Sequence, residues 1–112
     1  MKQLTQGEVE AQILQAVEAL EESTENYAIL SDEAATAEAD YKLRHARAIV
    51  TLSDVKATAA EKGARADLTS AEELRAWKIA EARRQASKEH LLSLRARLDA
   101  LRSLSANIRA QT

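Results

Sequence analysis

The chain has 112 residues, 30% of them charged, a formal net charge of −2, no cysteine and two glycines but no proline. A near-zero net charge argues against a polyanion binder that works by bulk charge, and the missing cysteines exclude a disulfide framework and thiolate chemistry. Of the 46% hydrophobic residues, 24 are alanines and three are aromatic, so a thick globular core is excluded too and alanine serves helicity and close helix approach.

Thr5 followed three residues later by Glu8 has the form of a capping box and starts a helix near Gln6. No Gly or Pro interrupts the chain between Glu8 and Lys62, so helix one is expected over about 6–61. Its heptad a series is Ile13, Leu20, Tyr27, Ala34, Tyr41, Ala48 and Val55. The d series is read as Val17, Thr24, Ser31, Glu38, His45, Leu52 and Ala59, whose middle members are polar. Leu30 and Ala37 lie beside this seam, so the stripe is expected to drift; a bend or restart at Ser23, Thr24, Glu25 and Asn26 is the alternative, because these residues cap well and propagate poorly.

Residues 63–69 carry hinge chemistry: Gly63 suits a left-handed helix cap, and Thr69 with Glu72 forms a second capping box. Helix two is expected over about 70–109. Its seam reads Trp77, Ala80, Arg84, Ser87, Leu91, Leu94, Leu98, Leu101, Ser105 and Ile108, with Leu104 widening it. The expected architecture is a single all-α domain, a long antiparallel two-helix hairpin of coiled-coil character.

A reversal around Ala66 places Trp77 opposite Val55, Leu91 opposite Tyr41 and Leu98 opposite Ala34. Tyr41, Leu52, Val55, Trp77, Leu91, Leu94, Leu98 and Leu101 then form the hairpin core. The first forty residues hold ten acids against Lys2, a balance of −9, and the remainder carries +7. This register lays the acids along the arginines of helix two, which favours antiparallel pairing over wrong partners. It also leaves Val9, Ile13, Leu14, Val17 and Leu20 without an intrachain partner. That unpaired stripe points to a dimer or higher oligomer built through these five residues, or to the segment folding back as a short third helix.

No phosphate loop, zinc-protease motif or calcium loop is present, and a helical hairpin offers ridges rather than a cavity, so neither an enzyme nor a cofactor is expected. In the expected register His45 and His90 fall within about a turn of one another, near Asp40, Tyr41 and Glu89; exposed helix histidines are more often simply solvated. Lys42, Arg44 and Arg47 on helix one, beside His45, and Arg75, Lys78, Arg83, Arg84 and Lys88 on helix two form two basic clusters at similar heights. They are candidates for nucleic-acid or partner contact. Single-strand binding adds aromatic platforms to such a patch, and the two candidates, Trp77 and Tyr41, lie on the seam. The bland alternative is a solvated or internally paired face. The first residues, MKQLTQGEVE, lack the apolar run of a signal peptide, and no stretch approaches the length of a membrane span, which makes the cytoplasm the expected location and excludes a membrane partner.

The segment AEADYKLRHARAIVTL (residues 37–52), the hinge, and the stretch TSAEELRAWKIAEARRQASKEHLLSLRARLDALRSLSANIRAQ (residues 69–111) together resemble small helical accessory proteins of tailed bacteriophages and prophages. The likeness rests on an acid-rich first segment leading to Tyr41 and Lys42, and on the Leu-Arg-Ser-Leu of residues 101–104, and it covers about residues 8–111. The resemblance implies a gene near single-strand annealing recombinases, exonucleases or single-strand binding proteins, and a non-enzymatic part in phage DNA recombination or replication through a protein partner such as a recombinase. Direct, sequence-independent binding of single-stranded DNA is one alternative. The other is inhibition of a host enzyme or defence system by an acidic helix that imitates a polyanion, for which the acids must be exposed rather than covered by helix-two arginines.

Overall fold

The computed structural model describes residues 4–111, so Lys2 lies outside the described residues. Three helices account for most of the chain: α1 (Gln6–Thr51), α2 (Ala59–Thr69) and α3 (Ala71–Ala110), with no strand among the described residues. The fold is all-α. At the start of α1, Thr5 Oγ1 accepts a hydrogen bond from the Glu8 N–H at 3.2 Å, which satisfies one of the donors that a helix start leaves free. The helix then runs without a restart through Ser23 to Asn26, because Thr24 donates its hydroxyl to the Leu20 carbonyl at 2.8 Å instead of competing for the backbone N–H groups.

The break in the chain is not at Gly63. Helix α1 stops at Thr51, ten residues short of the expected end, and residues 52–58 make the turn through bonds such as Val55 N–H to Leu52 O, 3.1 Å. Thr58 closes it as the N-cap of α2, its hydroxyl accepting from the Glu61 N–H at 3.1 Å, while Lys62 donates to the Ser53 carbonyl at 3.2 Å. Gly63 sits inside α2 with a negative φ, so no left-handed cap forms there. The energetics permit the displacement. An interior Gly costs a helix about 1 kcal/mol and an N-cap Thr contributes about as much, so the Thr58 cap offsets the glycine inside α2 and the local balance between the two sites is close.

The second expected capping box is also absent. Thr69 donates its hydroxyl back to the Arg65 carbonyl at 2.9 Å, and helix bonding passes through Ser70, whose N–H reaches Ala66 O and whose carbonyl accepts from Leu74 N–H, both at 3.0 Å. The short helix of this fold therefore lies in the middle of the chain, as α2, and not at the N-terminus.

Two compact units can be distinguished. One joins the start of α1, up to Ala28, to the part of α3 from Ala86 on; the other comprises Ile29–Gln85. In the first unit Ala16, Leu98 and Leu101 form a buried cluster covered by Ile13, Val17 and Leu20, and Gln6 Nε2 donates to Ser105 Oγ at 2.9 Å. Later residues of α1 thus meet earlier residues of α3, an antiparallel pairing. Leu98 packs against Ala16, not Ala34, because the chain turns back before Gly63.

This earlier reversal gives the N-terminal stripe a partner within the chain. Val9 is fully buried, and Ile13, Val17 and Leu20 are half-buried against the leucines of α3, so the argument from an unpaired stripe falls. Leu14 differs from the other four: it is 60% exposed. On α3 the residues Ser87, Leu91, Leu94, Leu98, Leu101 and Ser105 are buried at alternating four- and three-residue steps, whereas Leu104 faces outward. On α1 the a series is buried or half-buried throughout, and it is flanked on both sides: Ala16, Ser23, Leu30 and Ala37, three residues on, and Val17, Ser31, Glu38 and His45, four residues on, are buried or half-buried, whereas Thr24 is exposed.

In the second unit Tyr41 stacks on Trp77 with ring centroids 5.5 Å apart, and Arg44 lies 3.8 Å from Glu73. Trp77 therefore faces Tyr41 rather than Val55, and Tyr41 faces Trp77 rather than Leu91. Buried Ala34, Ala48 and Ala66 keep this seam thin.

Gly63→Ala separates a mid-helix glycine from a left-handed hinge. A Cβ at Gly63 meets nothing within 4 Å, so the substitution is expected to raise stability by roughly 0.5–1 kcal/mol in urea denaturation followed by circular dichroism. A loss of stability would return the hinge to Gly63.

Candidate functional site

The second unit gathers chemistry that the seam does not consume. The last turns of α1 and the face of α2 bound a groove of about 490 Å³ lined by Arg44, Arg47, Ala48, Leu52, Arg65 and Leu68, with Thr51 and Thr69 at its edge. Both threonine hydroxyls are turned to their own helices, Thr51 to Arg47 O and Thr69 to Arg65 O, which leaves the groove floor apolar. Leu68 is 80% exposed and Val50 70%, with Leu43 and Ile49 also exposed. A second groove, lined by Asp40, Leu43, Arg44, Arg47 and Glu73, shares Arg44 and Arg47 with the first.

The basic residues are not equivalent. Arg44 is held by Glu73, Lys42 by Glu38 at 2.7 Å, and Lys78 lies over the Trp77 ring, 4.4 Å from its centroid. Arg84, half-buried on the α3 seam, is paired with Glu81 one turn earlier, which is how a guanidinium is tolerated there. Arg75 and Arg83 are exposed on α3, and Lys88 belongs to the first unit. Arg47 and Arg65 are exposed beside the apolar floor and, like Arg75 and Arg83, have no carboxylate within 4 Å among the described residues. Of the eight expected contact residues, the structure brings Arg44 and Arg47 to this groove and adds Arg65, which the sequence reading assigned to the hinge. The signal for Arg65 was Thr58 with Glu61, a third Thr-x-x-Glu box that places α2 where the hinge was expected.

His45 and His90 have separate surroundings. His45 Nε2 lies 3.0 Å from Asp67 Oδ1 with its ring tilted against Tyr41, while His90 lines a shallow groove in the first unit with Glu22, Ser23 and Asn26. Among the described residues no three His, Cys, Asp or Glu side chains are grouped to hold a metal ion. The acids of α1 are not covered by arginines either: Glu10, Glu18, Glu21, Glu22, Glu25, Asp32, Glu33 and Asp40 are exposed, because the seam buries one stripe and these acids lie off it. No helix among the described residues is long and apolar enough to cross a membrane. Protein-family models, curated proteins and solved structures give no match to this chain.

The Arg84 hydrogen bond lowers the pKa of the Glu81 carboxyl below its ordinary value, against an opposing effect of burial and with the charges of Arg84 and Lys78 adding to it. A lowered folded-state pKa means that the stabilisation is present above the ordinary glutamate range and is lost as the pH falls through the folded value. NMR titration should find the Glu81 midpoint below that of a glutamate in an unfolded peptide, and Arg84→Gln should move it upward; an unmoved midpoint would show that the pair does not form in solution.

Proposed function

We propose that this chain is a non-enzymatic helical interaction module that binds a protein partner in phage DNA recombination or replication, acting in the host cytoplasm. The observation that carries the reading is the surface of α1 in the second unit, where Leu43, Ile49 and Val50 are exposed. A group of large apolar side chains left in water marks an interaction surface. The four-and-three burial steps on α3 and the antiparallel pairing within each unit support an antiparallel coiled coil as the rigid frame. The resemblance to phage accessory proteins supplies the class of partner, a recombinase or a protein acting with one.

Direct single-strand binding is less well supported. Tyr41 and Trp77, the two candidate stacking platforms, are stacked on each other, and Lys78 covers a face of Trp77. A specific observation does favour the inhibitor reading over it: the acids of α1, among them Glu18, Glu21, Glu22 and Glu25, are exposed as polyanion mimicry requires.

The test is a tagged pull-down from infected or prophage-induced bacteria, split into nuclease-treated and untreated halves, with the wild type and a Leu43→Asp, Val50→Asp variant. A phage recombination protein retained after nuclease and lost with the variant is the expected result. Loss with nuclease alone would replace the reading with DNA binding, and a host enzyme retained by the variant but lost on Glu21→Lys with Glu25→Lys would replace it with inhibition.

A further inference from the structure

We infer that the Arg47–Arg65 groove is filled by the Leu14 face of a second copy of this chain. The inference does not depend on which protein the module serves. Two surfaces complement each other in size and in charge. The groove has an apolar floor of Ala48, Leu52 and Leu68 and two exposed arginines on its rim with no carboxylate within 4 Å among the described residues. Its volume of about 490 Å³ accepts a large aliphatic side chain with space to spare.

The other surface is on α1 in the first unit. Leu14 is 60% exposed there, so the pairing of α1 with α3 leaves it in water while Val9, Ile13, Val17 and Leu20 are covered. Glu10 and Glu18 stand four residues to either side of it and Glu21 seven residues on, all exposed. Residues at these steps share one helix face, so Leu14 projects from the middle of an acidic stripe. An apolar side chain flanked by carboxylates matches an apolar floor flanked by guanidinium groups. Docking Leu14 between Leu52 and Leu68 sets Glu10 and Glu18 toward Arg47 and Arg65, which removes apolar surface from water and pairs the two unengaged cations. Arg44 stays with Glu73.

The two surfaces differ, so the contact is head-to-tail: each copy offers one stripe and one groove. This property makes the contact separable by mutation. The four positions Leu14, Glu18, Arg47 and Arg65 are exposed, so neutral substitutions there leave the fold intact, and circular dichroism verifies the helix content of each variant.

Sedimentation velocity on the full chain over a range of concentrations is the test. The wild type is expected to gain mass with concentration and to lose it in high salt, since rim charges are screened within about 10 Å at 0.1 M ionic strength. Leu14→Gln with Glu18→Gln, which removes the stripe, and Arg47→Gln with Arg65→Gln, which removes the groove, are each expected to weaken association by about tenfold or more. Mixing the two variants restores one intact stripe–groove pair, so a complex of two chains and no larger species should appear. A wild type that stays monomeric, variants that associate as strongly as the wild type, or a folded mixture that stays monomeric would each overturn the inference. The pull-down variant, Leu43→Asp with Val50→Asp, lies outside the lining of this groove, so the two tests fail independently.

Discussion

The turn at residues 52–58 decides everything downstream of it. A helix pair has one free parameter once its seams are set, the point at which the chain reverses, and here it is fixed by the Thr58 cap and by the Lys62 ammonium on the Ser53 carbonyl. Moving that point by ten residues changes which side chains meet all along α1 and α3. Val9 to Leu20 acquire the leucines of α3, Tyr41 acquires Trp77, and the basic end of α1 acquires α2 as the second wall of a groove.

A seam made largely of alanine, serine and leucine has further consequences. Small residues bring helix backbones close together and bury little area per residue, so the core is a line rather than a volume. Several polar members of that line have a partner, although the Ser31 hydroxyl is buried without one. Ser70 donates to Ala66 O at 2.8 Å, Ser105 accepts from Gln6, and Arg84 lies on Glu81. With one stripe buried per helix, most of the 30% charged residues must face water. This is why the acids of α1 are exposed instead of neutralised by α3.

The Arg44–Glu73 ion pair and the His45–Asp67 hydrogen bond link helices in the second unit, the same unit in which Arg47 and Arg65 have no carboxylate within 4 Å among the described residues. Charge there has two uses. Some of it holds α1 against α2 and α3, where each exposed pair contributes about 0–1 kcal/mol, and some of it is left at the rim of an apolar groove.

What the sequence determined by itself was local. The all-α class follows from the absence of proline and the scarcity of glycine, the start of α1 from Thr5 and Glu8, and the α3 seam from leucines at alternating four- and three-residue steps, because each of these depends on neighbours within two turns. The position of the reversal was a competition between two Thr-x-x-Glu boxes, Thr58 with Glu61 and Thr69 with Glu72, and one glycine, whose energies differ by less than about 1 kcal/mol. Only tertiary packing settled it, since burying Val9, Ile13, Ala16 and Leu20 against α3 outweighs so small a local difference. The groove was illegible for the same reason. Arg47 and Arg65 are eighteen residues apart in sequence, and they become neighbours only because the chain turns between them.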